Sequence, residues 1–414
     1  MKKTLLLAIV AALPIAASAQ TFDFDLTQPQ PTYTAANGAG YDLLPAPTKK
    51  TPTAPFYFSV RVPDGNYRVQ VVLGSKKRTA ETTVRAEDRR LMAENVATKK
   101  GKTIAYEFVV NKRSPQIDEH NRVKIKDREK DYLAWDDKLT LEFNGDAPAV
   151  QSIHIERDDN IPTIYLCGNS TVVDQNNEPW ASWGQMITRW FDAGIAISNH
   201  AESGLTARTF IAGGRLDKIL TTLKAGDIVV VEFGHNDEKE KRPGDGAWYH
   251  YTYQLKVFID QVRSKGAEIV FCTPTQRRAF ANDKKTLQNT HGDFPAAMKS
   301  VAEREHVPLI DLNTMTKVFF ETLGFEDSKR ALVHYPMGSF PGQEKELADN
   351  THFNPYGAYE VAKCVVMGMK QLQLPVIAHL RSDWQDFSPA QPDDWHTFKW
   401  VPAPNTELLK PDGN

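Results

Sequence analysis

Cysteine is scarce in this chain, with three in 414 residues. Cys167, Cys272 and Cys364 stand in apolar stretches, and no two of them form a C-x-x-C or metal-like spacing. That excludes a disulfide-built scaffold and a clustered thiolate metal site, and it predicts buried thiols, with one disulfide as the lesser alternative. An excess of charge of one sign is also missing. Lys and Arg number 50 against 52 Asp and Glu, a formal net charge of -2, which argues against a nucleic-acid binder relying on bulk positive potential. Long hydrophobic runs are absent as well. The apolar stretch from Leu5 to Ala17 is too short to span a bilayer; with Lys2-Lys3 before it and Ala17-Ser18-Ala19 after it, it has the layout of a secretory signal peptide. The expectation is cleavage after about Ala19 and export of the mature protein to a periplasm or the cell exterior. No cysteine follows the small residues, so the lipoprotein pattern is not present. The chain also lacks an HExxH motif or clustered ligands, so neither metal nor other cofactor is expected, and it lacks the G-x-S-x-G elbow of conventional lipases.

The apolar (41%) and charged (25%) fractions are those of a globular chain able to bury a large core. Two regions of different periodicity follow the leader. From Phe22 to Glu156 apolar residues alternate: Phe56, Phe58, Val60 and Val62, then Tyr67, Val69, Val71 and Leu73, with Pro63-Asp64-Gly65-Asn66 between them. This predicts a β-hairpin. Ile104, Tyr106, Phe108, Val110 and then Leu139, Leu141, Phe143 repeat the alternation, so residues 20–157 are expected to form an all-β sandwich domain. From Thr163 strands alternate with helices. Short apolar strands are expected at Thr163–Cys167, Ile195–Asn199, Asp227–Phe233, Glu268–Cys272 and Pro308–Asp311, and helical spacing at Trp183, Met186, Ile187, Trp190, Phe191 and at Ala358, Val361, Ala362, Val365, Val366, Met369. The fold class is therefore α/β: a doubly wound parallel five-stranded sheet over residues 162–375, preceded by the β region. Residues 376–414 carry Trp384, Trp395 and Trp400 among several prolines, and should pack back on the surface.

Two short motifs carry the chemistry. Gly168-Asn169-Ser170-Thr171 directly follows an apolar strand, and Asp349-Asn350-Thr351-His352 precedes the helix start Asn354-Pro355. A serine hydroxyl needs an imidazole to take its proton and a carboxylate to orient that imidazole. The prediction is Ser170 as nucleophile, His352 as base and Asp349 as orienting acid, the last two on a loop entering the final helix. The rule that ligands bind beyond the carboxyl ends of parallel strands places Ser170 at the mouth of the site.

With these blocks the chain resembles the SGNH hydrolases. Gly168-Asn169-Ser170-Thr171 matches the first block, Asn199-His200-Ala201-Glu202-Ser203-Gly204 the second, Gly234-His235-Asn236-Asp237 the third and Asp349-Asn350-Thr351-His352 the last. The resemblance covers Thr163 to Gln373. It implies the same triad and an oxyanion hole made by the Ser170 and Gly204 backbone N–H groups and the Asn236 side chain. Chemistry asks for the same parts, since donors aimed at the developing oxyanion are worth roughly 3 to 4 kcal/mol each. One residue departs from the family pattern: Asn169 stands where Asp is usual, which keeps a carbonyl and loses a charge. His235 is expected to be structural or to line the substrate.

Within that group the chain is similar to rhamnogalacturonan acetylesterases, on GNSTVVD (168–174), GLTARTF (204–210), TPTQRRAF (273–280), THGD (290–293) and THFNPYG (351–357). The resemblance implies removal of acetyl groups from an acetylated pectic polysaccharide. Because that polymer is polyanionic, Arg208, Arg277 and Arg278 are candidate contacts, with a structural salt bridge or a solvated side chain as the alternative for each. Lys239, Lys241 and Arg242, interleaved with Glu238 and Glu240, read as a solvated run. The β region resembles galactose-binding-like sandwiches by pattern alone; Tyr132 and Trp135 are either sugar-stacking residues or core. Two other functions stay open: an esterase for another acetylated polysaccharide such as xylan, and an inactive secreted glycan-binding protein.

Overall fold

The computed structural model describes residues 20–404, 408 and 410, so the expected leader over residues 1–19 lies outside the described residues. The first part of the chain contains β1 (Thr21–Asp25), β2 (Ala39–Asp42), β3 (Phe56–Arg61), β4 (Gly65–Gly74), β5 (Ala80–Ala86), β6 (Arg90–Thr98), β7 (Thr103–Lys112), β8 (Lys138–Asn144) and β9 (Val150–Arg157). They form two antiparallel sheets, ordered β1-β9-β4-β7 and β2-β3-β8-β5-β6. Alternate residues of both sheets, among them Phe58, Val60, Val69, Val71, Phe108, Leu141 and Ile155, meet in one apolar core.

The alternation located β3, β4, β7 and β8 but not their partners, and β1, β2, β5, β6 and β9 were not named by it. The expected hairpin of β3 with β4 does not form: β3 pairs with β2 and β8, whereas β4 pairs with β7 and β9. Pro63–Asn66 carries the chain from one sheet to the other, with the Tyr67 hydroxyl donating back to the Pro63 carbonyl at 2.9 Å. A period of two states which face is buried and says nothing about which neighbour completes the ladder.

The second part contains β10 (Thr163–Cys167), β11 (Ala196–Asn199), β12 (Ile228–Val231), β13 (Glu268–Cys272) and β14 (Leu309–Ile310), all parallel in the order β11-β10-β12-β13-β14. Successive residues of these strands feed opposite cores: Ile164, Leu166, Val230 and Val270 on one face, Tyr165, Cys167, Val229 and Phe271 on the other. The helices are α1 (Trp183–Met186), α2 (Ala207–Ala212), α3 (Arg215–Leu220), α4 (Thr252–Ser264), α5 (Phe294–Glu305), α6 (Leu312–Asp327) and α7 (Pro355–Gln371). The helix expected over 183–191 is cut short, with α1 giving way to a 3-10 turn at Ile187–Trp190. Trp183, Met186, Ile187, Trp190 and Phe191 are nonetheless all buried, so packing rather than helix length satisfies the stripe.

A two-stranded antiparallel sheet, β15 (Leu332–Tyr335) with β16 (Leu347–Phe353), precedes α7. This corrects the expected loop: Asp349 to His352 lie within β16, whose pairing with β15 absorbs part of its backbone hydrogen bonding. Helix α7 starts as expected, with the Asn354 side chain accepting from the Gly357 N–H at 3.0 Å and Pro355 at the first position. Gly357 is required by close approach, since a Cβ there would lie 1.9 Å from the Ala331 carbonyl oxygen. The three cysteines are free and buried, and burial pushes their thiols up. Beyond α7 the chain packs back: Trp384 meets Trp190 edge-on at 5.0 Å, Phe398 meets Tyr359 at 5.3 Å, and Trp400 lies under the Arg85 guanidinium at 4.5 Å. Among the described residues no helix is long and apolar enough to cross a membrane.

Candidate active site

Ser170 stands three residues past the end of β10, where the strand order reverses between β11 and β12. The turn is held from inside. The Asn169 carbonyl accepts from Val172 and Val173 N–H at 3.0 Å, and the Ser170 carbonyl accepts from Ser182 Oγ at 2.6 Å and Gln175 Nε2 at 2.9 Å. Ser170 Oγ is 2.9 Å from His352 Nε2, and His352 Nδ1 is 2.8 Å from Asp349 Oδ2. A carboxylate only accepts, so Nδ1 carries the proton and Nε2 is left to accept from the serine hydroxyl.

Asp349 Oδ1 also accepts the Thr351 and His352 N–H groups at 2.9 and 3.0 Å. Burial pushes this carboxyl up, but the bond from His352, the imidazole charge and the two N–H donors outweigh it and hold Asp349 well below the usual carboxylate range. Lys410, near the end of the chain, brings its ammonium 3.8 Å from Asp349 Oδ2. The three side chains can therefore move a proton from a serine hydroxyl to an imidazole whose charged form faces an ionised acid.

Gly204 has φ +78°, a left-handed conformation that favours glycine. Asn236 Nδ2 donates to the Leu205 carbonyl at 3.0 Å, which ties the third block to the residue that follows the second. Asp237 accepts from the Ala207 and Gly234 N–H groups at 2.9 and 3.0 Å; burial pushes its carboxyl up to about 7.

Asn169, the departure from the family pattern, accepts the Thr171 N–H and hydroxyl at 3.2 and 3.0 Å, while its Nδ2 is buried without an acceptor among the described residues. A carboxyl reaches the same hydroxyl: Glu232 Oε1 is 2.9 Å from Thr171 Oγ1, and Glu232 Oε2 accepts from Trp183 Nε1 at 2.6 Å. Glu232 is fully buried, and burial pushes it up to about 7 because its donors are all uncharged. Sequence reasoning missed this residue. Its signal was available, since an acid directly after the apolar Ile228–Val231 is out of place in a buried strand end unless something there uses it.

The candidate substrate contacts are all engaged within the protein. Arg208 is paired with Glu240, and Arg277 with Glu238 at 2.6 Å and with the His235 carbonyl at 3.1 Å. Glu238 and Glu240 are thus paired and mostly buried, not members of a solvated run. Arg278 donates to Ser328 Oγ at 3.0 Å and to the Phe325 carbonyl, and it reaches Asn350 Oδ1 at 3.3 Å, so it braces the strand that carries His352. His235 packs edge-on against His291 with ring centroids 4.6 Å apart, and burial, then the neighbouring His291, Arg277 and His352, push it well below its ordinary value. Trp135 is buried beneath Arg113 and Arg215, which places it in the core and not on a sugar-stacking surface. Among the described residues no group of three or more His, Cys, Asp or Glu is placed to hold a metal ion.

The GDSL-like lipase/acylhydrolase family model matches residues 166–358, which takes in all four blocks. Rhamnogalacturonan acetylesterase RhgT of Bacillus subtilis is 40% identical over 223 residues, 53% of this chain and 94% of that protein. A rhamnogalacturonan acetylesterase of Emericella nidulans is 29% identical over 221 residues, 48% of this chain and 81% of its own. The esterase YxiM of Bacillus subtilis, which carries the description uncharacterized, is 28% identical over 346 residues, 81% of this chain and 80% of that one.

Proposed function

The chain belongs to the GDSL-like lipase/acylhydrolase family, and from that premise we propose that it is an exported serine carbohydrate esterase that removes O-acetyl groups from rhamnogalacturonan. The single observation that carries the reading is the continuous hydrogen-bonded chain Ser170–His352–Asp349 at 2.9 and 2.8 Å. Ser170 Oγ attacks the acetyl carbonyl carbon as His352 Nε2 takes the hydroxyl proton. The resulting oxyanion is received by the Ser170 and Gly204 N–H groups and the Asn236 amide, and its collapse expels the sugar hydroxyl, which leaves with the proton from His352. Water then attacks acetyl-Ser170, gives its proton to His352, and acetate departs as the serine is restored.

The organisation that goes with this reading is a leader over 1–19 cleaved after about Ala19, a β-sandwich of galactose-binding type over 20–157, a catalytic domain over 162–375 and an extension over 376–414. The alignment with YxiM, reaching 81% of this chain, supports the β region as part of one recurring arrangement and not an unrelated appendage. Pectin as substrate is supported by the names of the two acetylesterase relatives and by Arg208 and Arg277, which stay partly exposed at 23% and 15% beside their acidic partners.

The test is acetate release from acetylated rhamnogalacturonan, acetylated xylan and an aryl acetate, with wild type and Ser170→Ala. The expected result is release from the pectic polymer that Ser170→Ala abolishes. Release from xylan in preference to pectin would overturn the substrate, and release that survives Ser170→Ala would overturn the mechanism.

A further inference from the structure

A cavity of about 260 Å³ lies between the β region and the edge strand β11. That is below the ~300–1,000 Å³ of pockets for drug-sized ligands, so it suits an ion or one sugar and no polymer. Its lining holds five cationic side chains, Lys112, Arg113, Arg157, Lys218 and Lys224, against two carboxylates, Asp64 and Asp159. Both carboxylates are already committed. Asp64 pairs with Lys112 at 3.2 Å and Lys218 at 2.8 Å, Asp159 pairs with Arg157 at 2.7 Å, and Lys224 is paired behind the lining with Asp227 at 3.0 Å.

Arg113 is left over. It is 5% exposed, no carboxylate among the described residues pairs with it, and its Nε and Nη1 have no hydrogen-bond acceptor there. Its guanidinium rests on the Trp135 ring at 4.4 Å, a contact that offsets charge but accepts no directional N–H bond. Across the cavity His200, 2% exposed, bonds Ser198 Oγ through Nε2 at 2.9 Å and leaves Nδ1 without a partner among the described residues. Burial lowers Arg113 to about 10, and burial followed by the charge of Arg113 pushes His200 well below its ordinary value. Both shifts are led by burial, with neighbouring cations adding to them.

We propose that this cavity binds a compact oxyanion, a phosphate or the carboxylate of a single uronate sugar, held by the Arg113 guanidinium and His200 Nδ1 between the flanking Lys112 and Lys218. A planar guanidinium with two unused N–H groups matches the oxygens of either anion, and the anion supplies the charge that the lining lacks. Arg113 comes from the end of β7 and His200 from the end of β11, so a bound anion links the two halves of the chain and its occupancy is readable as stability. The uronate source rests on the pectin reading above; the phosphate source does not.

The experiment is calorimetric titration and thermal unfolding with inorganic phosphate and, separately, D-galacturonate. Wild type, Ser170→Ala, Arg113→Met and Lys224→Ala are compared, and a crystal is soaked in selenate. Expected are one binding site, a Tm raised by roughly 1–3 °C at saturating anion, unchanged behaviour in Ser170→Ala, and anomalous density beside Arg113. Arg113→Met removes a buried charge with no acidic partner, so it should fold, keep its esterase activity and lose the anion-dependent rise. Lys224, 41% exposed at the rim, should fold as Ala with binding weakened about two- to fivefold, and it carries the test if Arg113→Met does not fold. Binding of phosphate alone or galacturonate alone identifies the source. No heat and no Tm change with either anion, a rise that persists in Arg113→Met, or selenate found only at Ser170 would overturn the proposal.

Discussion

The candidate site around Ser170 and the cavity beside β11 both hold buried polar side chains, yet they are balanced in different ways. At the candidate site Asp349 meets an imidazole and two N–H donors, and the Ser170 carbonyl has two donors of its own. In the cavity Arg113 meets an aromatic face, and His200 keeps a nitrogen without a partner among the described residues. The contrast teaches what each region is organised to do. A proton relay works when its partners are already in place, because reorganisation during the reaction would add to the barrier. A binding site works when its donors await an acceptor, at some cost to the unliganded fold.

The largest test of the candidate site's side of this contrast is Asp349→Asn. The fold should survive, because an amide keeps one acceptor for the Thr351 and His352 N–H groups, while kcat falls by about 10³–10⁴ through the wrong imidazole tautomer. Near-full turnover in a folded variant would break the idea that the relay is pre-arranged by Asp349. Asn236→Ala comes next, with an expected loss of roughly 10²–10³ in kcat and little change in KM, measured by steady-state kinetics on an aryl acetate.

Glu232→Gln sharpens the comparison from another direction, since Glu232 is a buried acid beside the Ser170 turn with only uncharged donors. Its folded pKa of about 7 lies above the unfolded value, so between about pH 4.5 and pH 7 the unfolded chain loses this proton and the folded chain keeps it. Stability therefore falls as pH rises through that window, by up to about 1.4 kcal/mol per pH unit from this group. Urea denaturation across the window should show a shallower fall in Glu232→Gln than in wild type; parallel profiles would show that Glu232 does not titrate there. The smallest effect is expected for Asn169→Asp, because Nδ2 has no acceptor to lose and Oδ1 keeps its role. Turnover within about fivefold of wild type, at equal Tm, is the expected outcome. A collapse of turnover would show that an acid at 169 and Glu232 cannot share Thr171.

Much of the α/β half was legible because the first three blocks fall at the ends of parallel strands, and such strands read as short apolar runs whichever neighbour they take. Glu268–Cys272 and Thr163–Cys167 agree with the expected bounds residue for residue. The β region was legible in its alternation and not in its pairing, so Phe56–Val62 and Tyr67–Leu73 looked like a hairpin although they lie in different sheets. The same limit applied to His352, whose placement on β16 depends on β15, a strand with no periodic signal of its own in four residues. Charged side chains were the least legible. Nothing local says that Arg278 will brace Asn350 or that Glu238 will turn inward to Arg277.

By itself the sequence determined the candidate residues, the parallel strands ahead of the first three blocks and the glycine at 204, because these follow from residue type and short spacing. Tertiary structure decided which carboxyl meets which cation, the sheet to which each β-strand belongs, and the bringing together of Ser170 and His352, 182 residues apart, at 2.9 Å. It also decided that Arg113 would be buried with no acidic partner. Local spacing sets what one element offers, whereas the charge balance of a buried group is set by residues from distant elements that meet only in the folded chain.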